Sequence, residues 1–147
     1  MISREVDYPP VWLAGFAMLG GALGALLPLQ LPLAPQLGAL IVIAALAMFA
    51  LAALQMMQAG TTVIPHRNPA RLVTRGLFSL SRNPIYLADA VFLAGLYVSW
   101  GAWIALPLVP YFMRLISRRF IEPEEARLAR VFGEDYFRYQ EVTRRWI

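Results

Sequence analysis

Long uncharged apolar stretches, separated by proline-rich or arginine-bearing segments, make up most of the chain. The first covers residues 11–27 and the second covers residues 37–57. An α-helix needs about 20 apolar residues to cross the hydrocarbon core of a bilayer, with about 17 as the lower limit. The pattern therefore predicts two membrane-spanning helices, joined by an uncharged turn that contains Pro28, Pro32 and Pro35.

A third apolar stretch covers residues 83–113 and carries a single charge, Asp89. Its length suits one long span or two short ones, because two full spans need about 40 residues. Trp100 and Trp103 flank Gly101 in the middle of the stretch, and tryptophan favours the membrane–water interface. This arrangement favours a hairpin that turns near Gly101.

The distribution of arginine supports the hairpin. Four arginines lie between the second and third apolar stretches, and eight lie from Arg114 onward. A single third span would put these two groups on opposite sides of the membrane, against the positive-inside tendency. We therefore predict helices at about 84–99 and 103–120, with both chain termini in the cytoplasm.

Polar segments adjoin the predicted spans on the cytoplasmic side. Residues 59–83 contain Pro65 and Pro69 together with apolar side chains, which indicates an ordered loop lying on the helices. In residues 122–147, charged residues alternate with apolar positions near helical spacing, which predicts amphipathic helices. The predicted fold is an all-α integral membrane four-helix bundle, forming a single domain over residues 1–147.

Composition narrows the chemistry further. The chain is 59% hydrophobic, has no cysteine, and carries a net charge of +4 that comes from arginine without lysine. Thiol and lysine-based covalent catalysis are therefore excluded. His66 is the only histidine, and the carboxylates are scattered, so we predict no metal site. The arginines adjoin apolar spans, which favours lipid head groups over nucleic acid as their partners.

A polar junction opens the third helix. Pro84 suits the first position of a helix, and Arg82 and Asn83 precede it. Free N–H groups at a helix N-terminus, beside an arginine, provide a site for an anionic group such as a carboxylate. The alternative is that Arg82 is a membrane-edge anchor and Tyr86 an interfacial aromatic residue.

The predicted hairpin brings a second polar group to the same face. Arg114 lies near the end of the fourth helix, and Glu124 and Glu125 follow it. Neighbouring residues on a helix point about 100° apart, so one glutamate faces a pocket while the other pairs with an arginine. The alternative is that both glutamates are solvated charges of the tail.

Taken together, these residues resemble a known family. In order and spacing they are similar to the isoprenylcysteine carboxyl methyltransferase and phospholipid methyltransferase superfamily. The matching segments are Arg82-Asn83-Pro84-Ile85-Tyr86, Gly95, Glu124-Glu125 and Phe132-Gly133-Glu134-Asp135-Tyr136-Phe137-Arg138-Tyr139, and the runs Pro65-His66-Arg67 and Leu72 to Phe78 resemble its small bacterial members.

The resemblance implies a bacterial inner-membrane methyltransferase that uses S-adenosylmethionine, releases S-adenosylhomocysteine and methylates a lipophilic acceptor entering from the membrane lipid. The cofactor pocket would face the cytoplasm. The cofactor-binding positions implied are His66, Gly76, Leu77, Phe78, Arg82, Asn83, Tyr86, Glu124 and Glu125. Asn83 replaces the histidine common in the family, so a binding role suits this position better than acid–base work.

The catalytic residues follow from the chemistry of methyl transfer, in which alignment of donor and acceptor supplies much of the acceleration. Arg114 is the candidate for orienting a carboxylate acceptor. If the acceptor is an amine or a thiol, Glu125 or Asp89 would accept its proton. Asp89 matches no family position, but ionisable residues inside a membrane are usually functional.

Other classes of function compete with this prediction. A small four-helix carrier would use Asp89 as its coupling carboxylate. A noncatalytic membrane scaffold would bind no cofactor. Neither requires an arginine-rich loop facing Glu124 and Glu125.

Overall fold

The computed structural model describes residues 8–61 and 70–147, and this part of the chain is helical without strands. The predicted all-α class is confirmed. The α-helices are α1 (Pro9–Leu26), α2 (Ala34–Gln58), α3 (Pro84–Ser99), α4 (Leu108–Ile116), α5 (Glu122–Phe132) and α6 (Glu134–Val142). Short 3₁₀ turns occupy Gly76–Ser79 and Trp103–Ala105, and a π-helical turn occupies Ser117–Ile121.

The first two helices are long and apolar enough to cross a membrane. Their apolar side chains point outward on most sides; Met18 is 76% exposed and Leu40 is 64% exposed. Only 22% of the apolar window of α1 and 17% of that of α2 is buried, unlike a core helix of a soluble protein. Because such surfaces are stable in lipid and not in water, the chain is a membrane protein.

The shorter helix α3 lies at the centre of the packing. Leu93 and Tyr97 on it are fully buried, and the Tyr97 hydroxyl donates a 2.6 Å hydrogen bond to the carbonyl of Phe16 in α1. On α1, a Cβ at Gly20 would collide with the Tyr97 ring. Gly20 therefore allows α1 to pack closely against α3. On α2, a Cβ at Gly38 would likewise collide with the backbone of Ser99.

The chain reverses at Gly101, where the sequence predicted a turn. Gly101 has a φ of 67°, a conformation that suits glycine. Its carbonyl accepts a 3.1 Å bond from the Leu29 amide, and the Trp103 indole donates a 2.9 Å bond to the Leu29 carbonyl. The α1–α2 and α3–α4 connections therefore lie together at one end of the helices. The opposite end, where α3 begins, is called the polar end.

The segment after Gly101 differs most from its predicted form. The expected helix over 103–120 starts as a 3₁₀ turn, and α4 continues through the π turn into α5 without a break. Pro123 lacks an N–H and displaces the carbonyl one turn earlier, and the wider π turn before it accommodates this defect. Glu125 therefore lies on a helix that continues from α4 without interruption.

Candidate active site

The junction before α3 holds the C-terminal segment in place. Asn83 is the N-terminal cap residue of α3, and its side-chain amide donates a 3.1 Å bond to the carbonyl of Arg145. The Ser81 hydroxyl donates a 3.3 Å bond to the same carbonyl and accepts a 3.1 Å bond from the backbone N–H of Asn83. Asn83, which the sequence suggested for ligand binding, thus also binds the C-terminal segment.

Arg82 is the most extensively bonded residue of this junction. Its backbone amide bonds the carbonyl of Arg144 at 2.9 Å. Nη1 donates to the carbonyls of Gln140 at 3.2 Å and Thr143 at 2.8 Å, and Nη2 donates to Oε1 of Glu125 at 2.9 Å. Its side chain is only 10% exposed, so the charge is buried among oxygen acceptors. Arg82 therefore joins the start of α3 to both α5 and the C-terminal segment.

Glu125 lies between two guanidinium groups. Besides its bond to Arg82, it accepts bonds from Arg145, with Nη2 2.6 Å from Oε2 and Nε 3.1 Å from Oε1. Arg145 also contacts Glu122 at 3.4 Å. The hydrogen bond with Glu125 is the main reason that the pKa of Arg145 is raised. Two arginines thus compensate a carboxylate that is 11% exposed.

Two tyrosines of α6 complete this side of the site. Burial raises the pKa of the Tyr136 hydroxyl to about 12, with the negative charge of Glu125 adding to the shift. Burial also raises the pKa of Tyr139, whose hydroxyl donates to the carbonyl of Phe78. Tyr139 therefore fixes α6 to the 3₁₀ turn that precedes the α3 junction.

The 3₁₀ turn at Gly76–Ser79 is hydrogen-bonded to α2. The Leu77 amide donates a 3.0 Å bond to Oε1 of Gln55, and Gly76 has a φ of 65°. A Cβ at Gly76 would collide with the Gln55 side-chain amide. The backbone of residues 76–78 is consequently held against the membrane helix at the polar end.

The two neighbouring glutamates have different surroundings. Glu125 is buried beside the arginines, whereas Glu124 is half-buried. Tyr86 is buried on the first turn of α3, and Asp89 lies half-buried three residues farther along the same helix.

The structure brings together many, but not all, of the residues singled out from the sequence. Arg82, Asn83 and Glu125 form one cluster, to which Phe78 is joined through Tyr139. Arg114 is exposed and lies in a different cleft on α4, and His66 lies outside the described residues.

The sequence reasoning missed Arg145 and the roles of Tyr136 and Tyr139. The two tyrosines are three residues apart on α6 and share its buried face, a spacing visible in the sequence. Arg145 carries no comparable signal, because it follows an identical residue, Arg144, near the end of the chain.

The profile of the phospholipid methyltransferase family matches residues 33–135 of the chain. The chain belongs to the phospholipid methyltransferase family. The predicted superfamily is therefore confirmed. No match was found among curated proteins or among solved structures. The matched range contains Arg82 and Glu125 but ends before Arg145.

S-adenosylmethionine, the methyl donor that the family suggests, carries a carboxylate and an ammonium group in its methionine part. Within residues 8–61 and 70–147, Nε of Arg82 and the hydroxyl of Tyr136 are buried donors without a hydrogen-bond partner. Such groups are costly unless something accepts from them. A ligand carboxylate supplies acceptors, and the neighbouring Glu124 carries the sign of charge that an ammonium group requires.

Proposed function

We propose that the chain transfers a methyl group from S-adenosylmethionine to a lipophilic acceptor, with S-adenosylhomocysteine as the second product. The family match over residues 33–135 carries this proposal. The membrane helices of the chain give a lipophilic acceptor access from the bilayer. Lipid-like molecules, including isoprenylcysteine carboxylates, would enter by this route. When bound, the cofactor supplies the electrophilic methyl group.

The cofactor site proposed here is built on the junction before α3. Arg82 and Tyr136 bind the carboxylate through their unpartnered donors, and Glu124 or Glu125 binds the ammonium group. The remaining candidates in the described part of the chain lie before α3 and on its first turn: Gly76, Leu77, Phe78, Asn83 and Tyr86. His66, the other candidate, lies outside the described residues.

Proton transfer and acceptor orientation are assigned to other side chains. Both oxygens of Glu125 are already bonded to arginine, so Glu125 accepts a proton only if Arg145 moves away. Asp89, half-buried on α3 three residues after Tyr86, is assigned to accepting a proton from the acceptor. Arg114 is exposed at the outer face of α4 and is assigned to orienting an anionic acceptor.

The location is proposed on the same grounds. The chain is a membrane protein, and its arginines cluster at the polar end, while the turns near Leu29 and Gly101 carry no charge. The positive-inside tendency then puts the polar end, both termini and the cofactor site in the cytoplasm of a bacterial inner membrane. The alternative of a carrier coupled through Asp89 gains no support from a family of methyltransferases.

Calorimetric titration of the detergent-solubilised protein with S-adenosylmethionine and S-adenosylhomocysteine tests the proposal. We expect both to bind. We expect Arg82→Ala and Glu125→Ala to weaken binding by about tenfold or more, the usual loss for a charged hydrogen bond. Arg138→Ala is the control, because Arg138 is 74% exposed and paired only with Asp135 among the described residues.

Two outcomes contradict the proposal. If neither compound binds, the methyltransferase function is refuted. Equal losses for Arg82→Ala, Glu125→Ala and Arg138→Ala refute the assigned site while leaving the function standing. Each variant is compared at the same folded fraction, measured by circular dichroism.

A further inference from the structure

A cleft of about 190 Å³ opens on the outer face of α4 and of the π turn that follows. The residues that line it are Tyr111, Arg114, Leu115, Arg118 and Arg119. The opposite face of α4 is packed in the core through Phe112 and Ile116. Neither Arg82 nor Glu125 lines this cleft, so it is separate from the proposed cofactor site.

Contacts with α1 show the depth of the cleft relative to the membrane span. The guanidinium carbon of Arg119 lies 4.9 Å from the ring centroid of Trp12, in the first turn of α1. One turn farther along α1, the ring of Phe16 lies 5.9 Å from that of Tyr111. Since α1 is a candidate span that begins at Pro9, Arg119 lies at the membrane edge and Tyr111 lies deeper.

The lining of the cleft is positively charged. Its lining contains three arginines and no carboxylate. Arg114 and Arg118 are exposed, and within the described ranges their side chains make neither an ion pair nor a hydrogen bond. Guanidinium groups bind phosphate oxygens through paired donors, and at a membrane edge the phosphates of lipid head groups lie at the same depth.

We propose that this cleft binds the head group of an anionic phospholipid. Arg114, Arg118 and Arg119 contact its phosphate and any further negative group, and an acyl chain runs inward beside Tyr111 and Leu115. An anionic lipid is favoured over a zwitterionic one, because the ammonium of a choline head group would meet the unpaired positive charges of Arg114 and Arg118. This inference concerns binding alone and does not depend on methyl transfer.

Native mass spectrometry of the full chain in detergent, titrated with dioleoylphosphatidylglycerol, measures this binding. Each arginine near an anionic lipid contributes about fivefold to affinity, so Arg114→Gln with Arg118→Gln should weaken binding by about thirtyfold. The single change Arg118→Gln should weaken it by about fivefold and serves as the test if the double variant does not fold. Dioleoylphosphatidylcholine should bind the unmodified chain at least about tenfold more weakly.

The matched control is Arg130→Gln with Arg138→Gln, which removes the same charge from exposed positions on α5 and α6. It should change phosphatidylglycerol binding by less than about twofold, the range expected for surface charges away from the ligand. Equal weakening by both double variants would overturn the proposal in favour of a general effect of net charge. Unchanged binding after Arg114→Gln with Arg118→Gln would also overturn it. Full competition by millimolar inorganic phosphate would assign the cleft to free phosphate instead.

Discussion

Arg145 contacts both oxygens of the Glu125 carboxylate, with Nη2 2.6 Å from Oε2 and Nε 3.1 Å from Oε1. This paired geometry is the strongest form of an arginine–carboxylate contact. Because Arg82 binds Oε1 of the same carboxylate from the start of α3, Glu125 joins three segments that are distant in sequence. The packing of these three segments at the polar end therefore depends on one carboxylate.

Replacing Glu125 by glutamine should lower the free energy of unfolding by about 3 kcal/mol, the usual cost of leaving buried charges without their partner. The reason is that Arg82, with 10% of its side chain exposed, would keep its charge without the compensating carboxylate. Unfolding in mixed micelles with sodium dodecyl sulfate, followed by tryptophan fluorescence, provides the measurement.

The control for this change is Asp135→Asn. Asp135 pairs with Arg138 at 3.3 Å, but both side chains are 74% exposed. A pair of this kind contributes at most about 1 kcal/mol. If the two substitutions cost the same, the Glu125 cluster is not a buried ion-pair network.

Replacing Arg145 by lysine should cost about 1 kcal/mol of unfolding free energy, since lysine keeps the charge but loses one of two hydrogen bonds. Arg144→Lys is the matched control, because Arg144 is adjacent and exposed. Arg144 contributes to the site through its backbone carbonyl, which accepts a hydrogen bond from the Arg82 amide, and the substitution retains this carbonyl. A larger loss for Arg144→Lys than for Arg145→Lys would contradict the assigned pairing.

The meeting of Arg82 with Glu125 could be predicted from the sequence, because the physical signals are local. Pro84 marks the start of a helix, the hairpin at Gly101 returns the chain, and Glu125 follows the returning helix. Those features bring the two residues to the same end of the molecule whatever the details of packing.

The partnership of Arg145 could not be predicted in this way. It depends on α6 folding back after Gly133, so that Tyr139 reaches Phe78 and the last residues reach the α3 junction. Nothing local distinguishes Arg145 from Arg144. The continuity of α4 with α5 was missed for a related reason, since Pro123 indicates a helix break unless the preceding turn widens.

Tyr136→Phe should alter how stability depends on pH. Burial raises the pKa of this hydroxyl to about 12, whereas a tyrosine in an unfolded chain titrates near 10. Because the folded pKa is the higher one, the contribution of Tyr136 is fully present below about pH 10 and is lost as the pH rises through about 12. Unfolding curves measured between pH 8 and pH 12 should therefore decline less steeply in Tyr136→Phe.

At neutral pH the same substitution should not destabilise the protein through a lost hydrogen bond, since no partner bonds this hydroxyl within the described residues. Tyr139→Phe is the contrasting variant, because its hydroxyl donates to Phe78 and the change leaves that carbonyl without this donor. We expect Tyr139→Phe to lose about 1 kcal/mol at pH 7. Identical pH profiles for Tyr136→Phe and the unmodified chain would contradict the raised pKa.

Gly76→Ala should destabilise the chain for two separable reasons. A φ of 65° costs an alanine about 1 kcal/mol, and the new methyl group would displace the Gln55 amide that accepts from Leu77, which costs about 1 kcal/mol more. Gly60→Ala isolates the first cost, because Gly60 has a φ of 71° with nothing within 4 Å of the added Cβ in the described part. In a Gln55→Ala background, the cost of Gly76→Ala should fall to that of Gly60→Ala. Equal costs for Gly76→Ala and Gly60→Ala in the unmodified background would show that Gln55 does not fix the turn before α3.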